Sequence, residues 1–516
     1  MFDVPPLSPK ESPTRIRGYL DEAEPPTPCL VLDLDVVLAA YSAIRDALPE
    51  AAVRYAVKAN PAPEIIRLLV RAGSGFDVAS PGEIDLCLAS GASPDLISYG
   101  NTIKKSADIR FAHRQGVGEF TVDSADDLAN LAGYAPGARV FCRILLDDLG
   151  GAATPFGRKF GCDREMAIRL LVRAAELGLH PAGAAFHVGS QHLDAKAWDA
   201  GIRQAALVTE QVAAHGIELN SLNLGGGFPT SHLFQAKPIE DYATTIRRSL
   251  AEHFGTRQPG LVIEPGRAVV ADAGVIRAEV VRASKKSESD THRWVYLDVG
   301  RYNGLAETEN EAITYRFVTS RDGEEDGPVV IAGPSCDGDD VLYQRTPYRM
   351  PLSLREGDKV DILGAGAYTA SYSSVGFNGF PPLRTHVVGT TEPVGVGEFA
   401  GVHVLAEFGG IDPALLDDPG FLCDALDGAL QRAEATVCGV SYKRFAPQGV
   451  TVLALLAESH ASMHTYPERG AVFVDVFTCG HRADPELAVR LLRESLAATT
   501  GEVEVVRRGS VRGGAG

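Results

Sequence analysis

Along residues 54–267 one polar residue closes short apolar run after short apolar run: Lys58 in VRYAVK, Asp77 in GFDVAS, Asn101 after LISYG, Asp123 in EFTVDS, Arg143 in RVFCRILL, His187 in GAAFHV and Glu264 in GLVIEPG. Any one of them alone is better explained as a solvated loop residue. Seven in the same place of a repeating unit are not, because chance does not keep such a register. An amine, carboxylates, a guanidinium and an imidazole gathered at one rim can bind an anion, hold a carbonyl compound on the amine and move protons. Two glycine-bearing turns follow the last two runs: NLGGGFP, with Gly225, Gly226 and Gly227, and IEPGR, with Arg267. Missing side chains let backbone N–H groups approach a phosphate, and Arg267 adds charge, although a lone glycine triplet is more often a tight turn.

A second constellation lies in LLAESHASMHTYPERG, residues 455–470, where a glutamate, two serines and two histidines follow an apolar run. Taken singly, such groups are more often hydrogen-bonded surface residues than catalysts. A serine here either attacks a substrate or attacks the carbonyl of its own neighbour, Glu458. No G-x-S-x-G elbow surrounds Ser459, and the sequence places no acid to orient a histidine, which disfavours a Ser–His hydrolase. Self-attack at Glu458–Ser459 is the expectation carried forward.

The elements that must position these groups follow from periodicity. Eight strand-like runs, the seven above and SLNLGG, alternate with amphipathic helical stretches, which predicts a (β/α)8 barrel over residues 41–267. Ser80-Pro81-Gly82-Glu83 reads as a helix start with proline at the first helical position. Residues 268–388 turn to strands and polar loops and, with the strand-like PCLVLDLDVV in residues 25–40, predict a β-rich domain; residues 1–24 are an N-terminal extension. Residues 389–401 read as a linker, residues 402–508 as a small two-layer α/β sandwich with helices near 412–434 and after Asp484-Pro485, and residues 509–516 as a disordered tail.

With 516 residues, 45% of them apolar, the chain can bury at least two cores. No apolar run is long enough to cross a membrane and no basic-then-apolar leader opens the chain, so a soluble, cytoplasmic protein is expected. Eight cysteines without a CxxC pair argue against a zinc site and a disulfide framework, so no metal is expected and a cysteine with a role is a catalytic thiol. A net charge of −18 disfavours nucleic acid and anionic membranes as partners. A lysine at one strand end, a phosphate cradle opposite it and a glutamate between them suggest pyridoxal 5'-phosphate, with Lys58 forming the Schiff base and Glu264 keeping the pyridine nitrogen protonated.

YAVKAN, FDVAS, FHVGS, NLGGGFP, IEPGR, GPSCDGDD and GAYTASYSSVGFNGF together resemble the alanine-racemase-fold decarboxylases of basic amino acids, ornithine decarboxylase above all, over about residues 25–388. The resemblance implies that His187 stacks on the cofactor ring, that Ser190, Gly225, Gly226, Gly227, Arg267 and Tyr368 hold its phosphate, and that Asp77, Arg143 and Lys159 brace the site. It implies that Cys336 protonates the α-carbon and Asp337 takes the distal ammonium, both reaching across a homodimer, with Tyr315 and Phe377 also at the substrate. Tyr315-Arg316 stands where eukaryotic relatives have tyrosine-aspartate, so one substrate acid is missing. Lysine or arginine is therefore the alternative to ornithine, and a non-catalytic regulatory homologue is a further one.

YKRFAPQGVT, AESHASMHTYPERG and VDVFTCG resemble bacterial S-adenosylmethionine decarboxylase over residues 402–508. That resemblance implies self-cleavage at Glu458–Ser459, leaving a pyruvoyl group derived from Ser459. It also implies that His464 and Thr451 serve processing, that Cys479 protonates the product carbon, that Phe445 and Tyr466 sandwich adenine, and that Glu468 contacts the ligand. Tyr466 replaces the usual tryptophan, which leaves ornithine or arginine as alternative substrates of this domain. Together the two resemblances imply a bifunctional enzyme of polyamine biosynthesis, at least a homodimer, making putrescine and decarboxylated S-adenosylmethionine.

Overall fold

The computed structural model describes residues 14–146, 152–154, 157–389, 401–457, 459–479 and 483–508. The chain divides into two compact units, residues 1–390 and 391–516.

In the first unit eight parallel strands close a barrel: Ala51–Ala56, Gly75–Val78, Ile97–Tyr99, Glu119–Val122, Arg139–Arg143, His180–Ala185, Ser221–Asn223 and Gly260–Ile263. The last pairs with the first, Leu261 beside Ala51. All eight runs picked out in the sequence overlap a barrel strand, because strands buried on both faces read as short apolar runs. Intervening helices turn an apolar stripe inward. In Pro63–Arg71 it is Ile65, Ile66 and Leu69, all fully buried. Ser80 caps the helix Pro81–Ala89 by accepting from the Glu83 N–H at 3.3 Å, and the Glu83 carboxylate accepts from the Ala79 N–H at 2.6 Å.

An eight-stranded mixed sheet follows. Its strand Gly274–Ser284 pairs antiparallel with Lys359–Leu363 and with the early strand Cys29–Asp33, which also runs parallel to Arg384–Val388. The strand predicted within residues 25–40 is confined to Cys29–Asp33. Asp33 accepts from the Asp35 N–H and starts a helix, Leu34–Ala47, which packs on the barrel. The segment misled because Leu34, Val36 and Val37 are β-compatible, yet the Asp33 cap and the 3.6-residue spacing of Leu34, Val37, Tyr41 and Ile44 decide for helix. Helix Thr14–Ala23 covers this sheet with Ile16 and Leu20.

The second unit is a six-stranded antiparallel sheet in the order Val437–Arg444, Val450–Leu456, Ser459–Tyr466, Ala471–Cys479, Gly401–Gly409, Thr500–Arg508. Helices Pro419–Arg432 and Pro485–Ser495 cover one face, sealing Val404, Val452, Met463 and Val474 with Leu426 and Leu492. Strand alternation sends His460, Ser462, His464 and Tyr466 to the other face. Residues 390–400 of the predicted linker and the predicted tail 509–516 lie outside the described residues.

Candidate active sites

All eight barrel strands feed one cavity of about 230 Å3, lined by Lys58, Asp77, Asn101, Thr121, Arg143, His187, Asn223 and Glu264 among others. The Lys58 ammonium lies 3.1 Å from the Asp77 carboxylate. That carboxylate raises the Lys58 pKa above the ordinary lysine range against the opposing effect of burial. Gly100 makes room for Asp77, since a Cβ there would stand 2.0 Å from the carboxylate. Burial, and then the Asp77 charge, pushes Glu264 up to about 7, while Asn223 donates a side-chain N–H to it and pulls the other way.

His187 accepts from the Gly189 N–H through Nδ1 at 3.0 Å. Burial, with the Arg143 and Lys58 charges, holds its pKa well below the ordinary imidazole range, so the ring stays neutral. Arg143 and Lys159 both lie over the Phe160 ring at 4.9 Å. Burial lowers the Arg143 pKa, yet a guanidinium starts so high that it keeps its charge.

Gly225, Gly226 and Gly227 form a close-packed turn. A Cβ on Gly226 would stand 2.5 Å from the Glu264 carbonyl and 3.2 Å from His187 Nε2. Arg267 is buried, donates through Nη2 to Ser190 Oγ at 3.1 Å and to Glu307 at 2.6 Å, and lies 5.0 Å over the Tyr368 ring. Its Nε and Nη1 are buried without a hydrogen-bond partner. Donors left orphaned inside a protein call for an acceptor, and here the acceptor that fits is an anionic group at the glycine turn.

The sheet domain steadies Lys58 from behind. Tyr368 N–H donates to the Ala59 carbonyl at 2.8 Å, Asn60 donates to the Gly366 carbonyl at 2.8 Å, and Ser371 Oγ donates to the Lys58 carbonyl at 3.2 Å. Cys336, Asp337 and Phe377 form a separate exposed group that does not line the cavity. Cys336 N–H and Sγ face Asn378 Oδ1, Tyr302 donates to Asp337 at 3.0 Å, and the Tyr302 and Phe377 rings lie 4.6 Å apart. Tyr315 is fully buried against His232 and likewise does not line the cavity.

In the second unit the predicted groups separate along one strand. Thr451 Oγ1 and His464 Nδ1 are 3.0 Å apart, and Gln448 donates to Glu468 at 3.2 Å beside the Tyr466 turn. Phe445 N–H donates to the Gly449 carbonyl at 2.8 Å, at the hairpin of that same end. Ser459 begins the strand that His464 nearly ends, five residues or about 16 Å away. Ser459 Oγ lies 3.1 Å from His460 Nδ1. His460 Nε2 lies 3.3 Å from Asp475, and His403 Nε2 is 2.7 Å from the same carboxylate. The expectation that no acid orients a histidine beside Ser459 is thus corrected. Asp475 is distant in sequence and arrives only when strand Ala471–Cys479 pairs with Ser459–Tyr466. Glu458 and the Cys479 side chain lie outside the described residues.

Comparison with known proteins fits both sites. The family model for the pyridoxal-binding domain of pyridoxal-dependent decarboxylases matches residues 34–271, and that for S-adenosylmethionine decarboxylase matches residues 402–509. The lysine/ornithine decarboxylase of Selenomonas ruminantium is 35% identical over 357 residues, 69% of this chain and 88% of that protein. The chain belongs to the pyridoxal-dependent decarboxylases. It carries in addition an S-adenosylmethionine decarboxylase domain. Among solved structures, the lysine/ornithine decarboxylase of Vibrio vulnificus complexed with cadaverine aligns with a TM-score of 0.64 and 32% identity, over 72% of this chain and 97% of that one. The Paramecium bursaria Chlorella virus arginine decarboxylase aligns with a TM-score of 0.66 and 27% identity, over 72% and 99%.

As a pyridoxal-dependent decarboxylase with a second decarboxylase domain, the protein is a carboxy-lyase whose two families use pyridoxal phosphate and a pyruvoyl group. The barrel's orphaned Arg267 donors and close-packed glycine turn fit the first of these. Sequence reading missed Asn223 and Glu307. Asn223 is the polar end of the SLN strand and was legible as the eighth member of the rim series. Glu307 sits in the short helical segment Ala306–Glu311 with no pattern to mark it.

Proposed function

We propose that the barrel decarboxylates ornithine to putrescine and that the C-terminal domain, after cleaving itself at Glu458–Ser459, decarboxylates S-adenosylmethionine. The observation carrying the first half is the Lys58–Asp77 pair facing Glu264 across one cavity. Bound pyridoxal phosphate supplies an electron sink for the charge left when carbon dioxide departs. Gly225, Gly226, Gly227, Ser190, Tyr368 and the free donors of Arg267 would hold its phosphate. Glu264, titrating near 7, holds a proton where a carboxylate in water would not. Neutral His187 offers a flat ring without adding charge, and Asp77 keeps Lys58 oriented.

Cys336 would deliver the proton to the α-carbon and Asp337 would pair with the distal ammonium. Their exposure and their absence from the cavity lining support a homodimer or larger assembly in which a second copy brings them in. The separation of Ser459 from His464 supports the same reading for the C-terminal domain. The relatives named for lysine and ornithine, and for arginine, favour testing those three substrates together. The reading places the protein in polyamine biosynthesis in the cytoplasm; among the described residues no helix is long and apolar enough to cross a membrane.

The first experiment is the mass of the purified chain under denaturing conditions. Self-cleavage releases a fragment beginning at residue 459 and blocked by a pyruvoyl group. A single full-length mass overturns the second half of the proposal. Release of carbon dioxide from ornithine, lysine, arginine and S-adenosylmethionine, assayed separately, then assigns the substrates, and no release from any of the first three overturns the first half.

A further inference from the structure

We infer that His460, oriented by Asp475, is the base that takes the Ser459 proton during self-cleavage. This rests on the self-processing reading and adds the group that starts it. Ser459 Oγ lies 3.1 Å from His460 Nδ1, which is hydrogen-bond distance for a serine and its base. His464 is occupied elsewhere, 3.0 Å from Thr451 Oγ1 and 3.5 Å from Ser462 Oγ.

The far nitrogen of His460 faces a prepared acceptor. Asp475 Oδ1 is buried without a hydrogen bond and lies 3.3 Å from His460 Nε2, while Asp475 Oδ2 is held by His403 at 2.7 Å. Register explains the juxtaposition. His460 pairs with Phe477, which also pairs with His403, and Asp475 stands two residues along on the same face, a diagonal neighbour of both histidines. The rings of His403 and His460 both pack on Phe477, at 5.2 and 6.0 Å. A neutral His460 able to accept at Nδ1 carries its own proton on Nε2, the nitrogen that faces Asp475 Oδ1. The carboxylate thereby holds the ring in the orientation and tautomer that leave Nδ1 open toward the Ser459 hydroxyl.

The step balances within the chain. Ser459 Oγ bonds to the Glu458 carbonyl carbon as its proton passes to His460 Nδ1. The bond from that carbon to the Ser459 nitrogen then breaks, and His460 returns the proton to the nitrogen. The amide becomes an ester and a free amine with no gain or loss of water, protons or electrons. His460 is the catalytic residue; Asp475 and His403 are positioning residues.

The test follows newly synthesised full-length chain by mass against time. His460→Ala is expected to slow the appearance of the fragment by ~100-fold or more, and added imidazole to restore the rate in proportion to its concentration. Asp475→Asn is expected to slow it by ~10-fold or more without imidazole rescue. His460→Ala cleaving at the wild-type rate, or slowed with no response to imidazole, overturns the inference while leaving self-processing intact. Wild type that never cleaves overturns the processing reading itself, and Ser459→Ala is the uncleaved control. Should His460→Ala not fold cooperatively on heating, His460→Gln is followed in its place, and cleavage at the wild-type rate overturns the inference.

Discussion

Arg267 donates through a single nitrogen, Nη2, to both Ser190 and Glu307, leaving Nε and Nη1 buried without a hydrogen-bond partner among the described residues. The guanidinium is thus half committed to the protein and half available to an anion. Arg267→Ala removes a charge-assisted contact worth about 2–3 kcal/mol, so pyridoxal phosphate affinity should fall ~30- to 150-fold. The same change strands the Glu307 carboxylate, whose side chain is 9% exposed, and should lower the thermal midpoint of the cofactor-free protein. Arg267→Ala with Glu307→Gln should recover the midpoint but not the affinity. Cofactor titration by absorbance and thermal denaturation separate the two effects.

Glu264 gives a pH signature. Its folded pKa is raised, so the native barrel binds this proton more tightly than the unfolded chain does. That contribution to stability is fully present below the ordinary carboxylate range and is lost as pH rises from there through about 7. The cofactor-free protein should therefore lose thermal stability over that interval more steeply than Glu264→Gln. Equal slopes for the two proteins would show that Glu264 titrates normally.

Lys104 tests the buried support of the cavity wall. Its side chain is fully buried and its ammonium reaches the Asn101 and Thr121 carbonyls and the Asp127 carboxylate at 2.9, 2.8 and 2.6 Å. Lys104→Met leaves Asp127 unpaired in the interior and should cost about 3–5 kcal/mol in denaturant unfolding of the first unit. Lys104→Met with Asp127→Asn should recover part of that loss.

Gly226 tests the cradle without touching a charge. Gly226→Ala drives a methyl group against the Glu264 carbonyl, so the turn must shift. The variant should retain its secondary structure by circular dichroism while cofactor affinity drops ~5- to 150-fold, in line with a clash costing about 1–3 kcal/mol.

Ser459 and His464 test whether the C-terminal site is completed between copies. Chains carrying Ser459→Ala and chains carrying His464→Ala should each stay full-length alone. Mixed during synthesis, the pair should yield fragment from the His464→Ala chains only, read by mass with one chain isotopically labelled. Absence of any fragment from the mixture would place both groups in one copy's site.

The rim of the barrel was legible because strand ends in this architecture carry chemistry while strand bodies are apolar, so one polar residue per run stood out. The Leu34–Ala47 helix was not, because a short apolar segment fits both periods until its cap is seen. Asp475 was hidden for another reason. VDVFTCG looks like an ordinary strand with one acid, and nothing local says that His460 is its diagonal neighbour across the sheet.

By itself the sequence determined the element order, the two decarboxylase domains and most of the polar residues that line the barrel cavity, since these depend on residue type and on periods of two and 3.6 residues. The tertiary structure alone decided which groups meet. Closure of the barrel brought Asn223 to Glu264 and left Cys336 outside. Sheet register set Asp475 beside His460. Contacts between residues distant in the chain depend on registry and closure, which are global properties that no local pattern encodes.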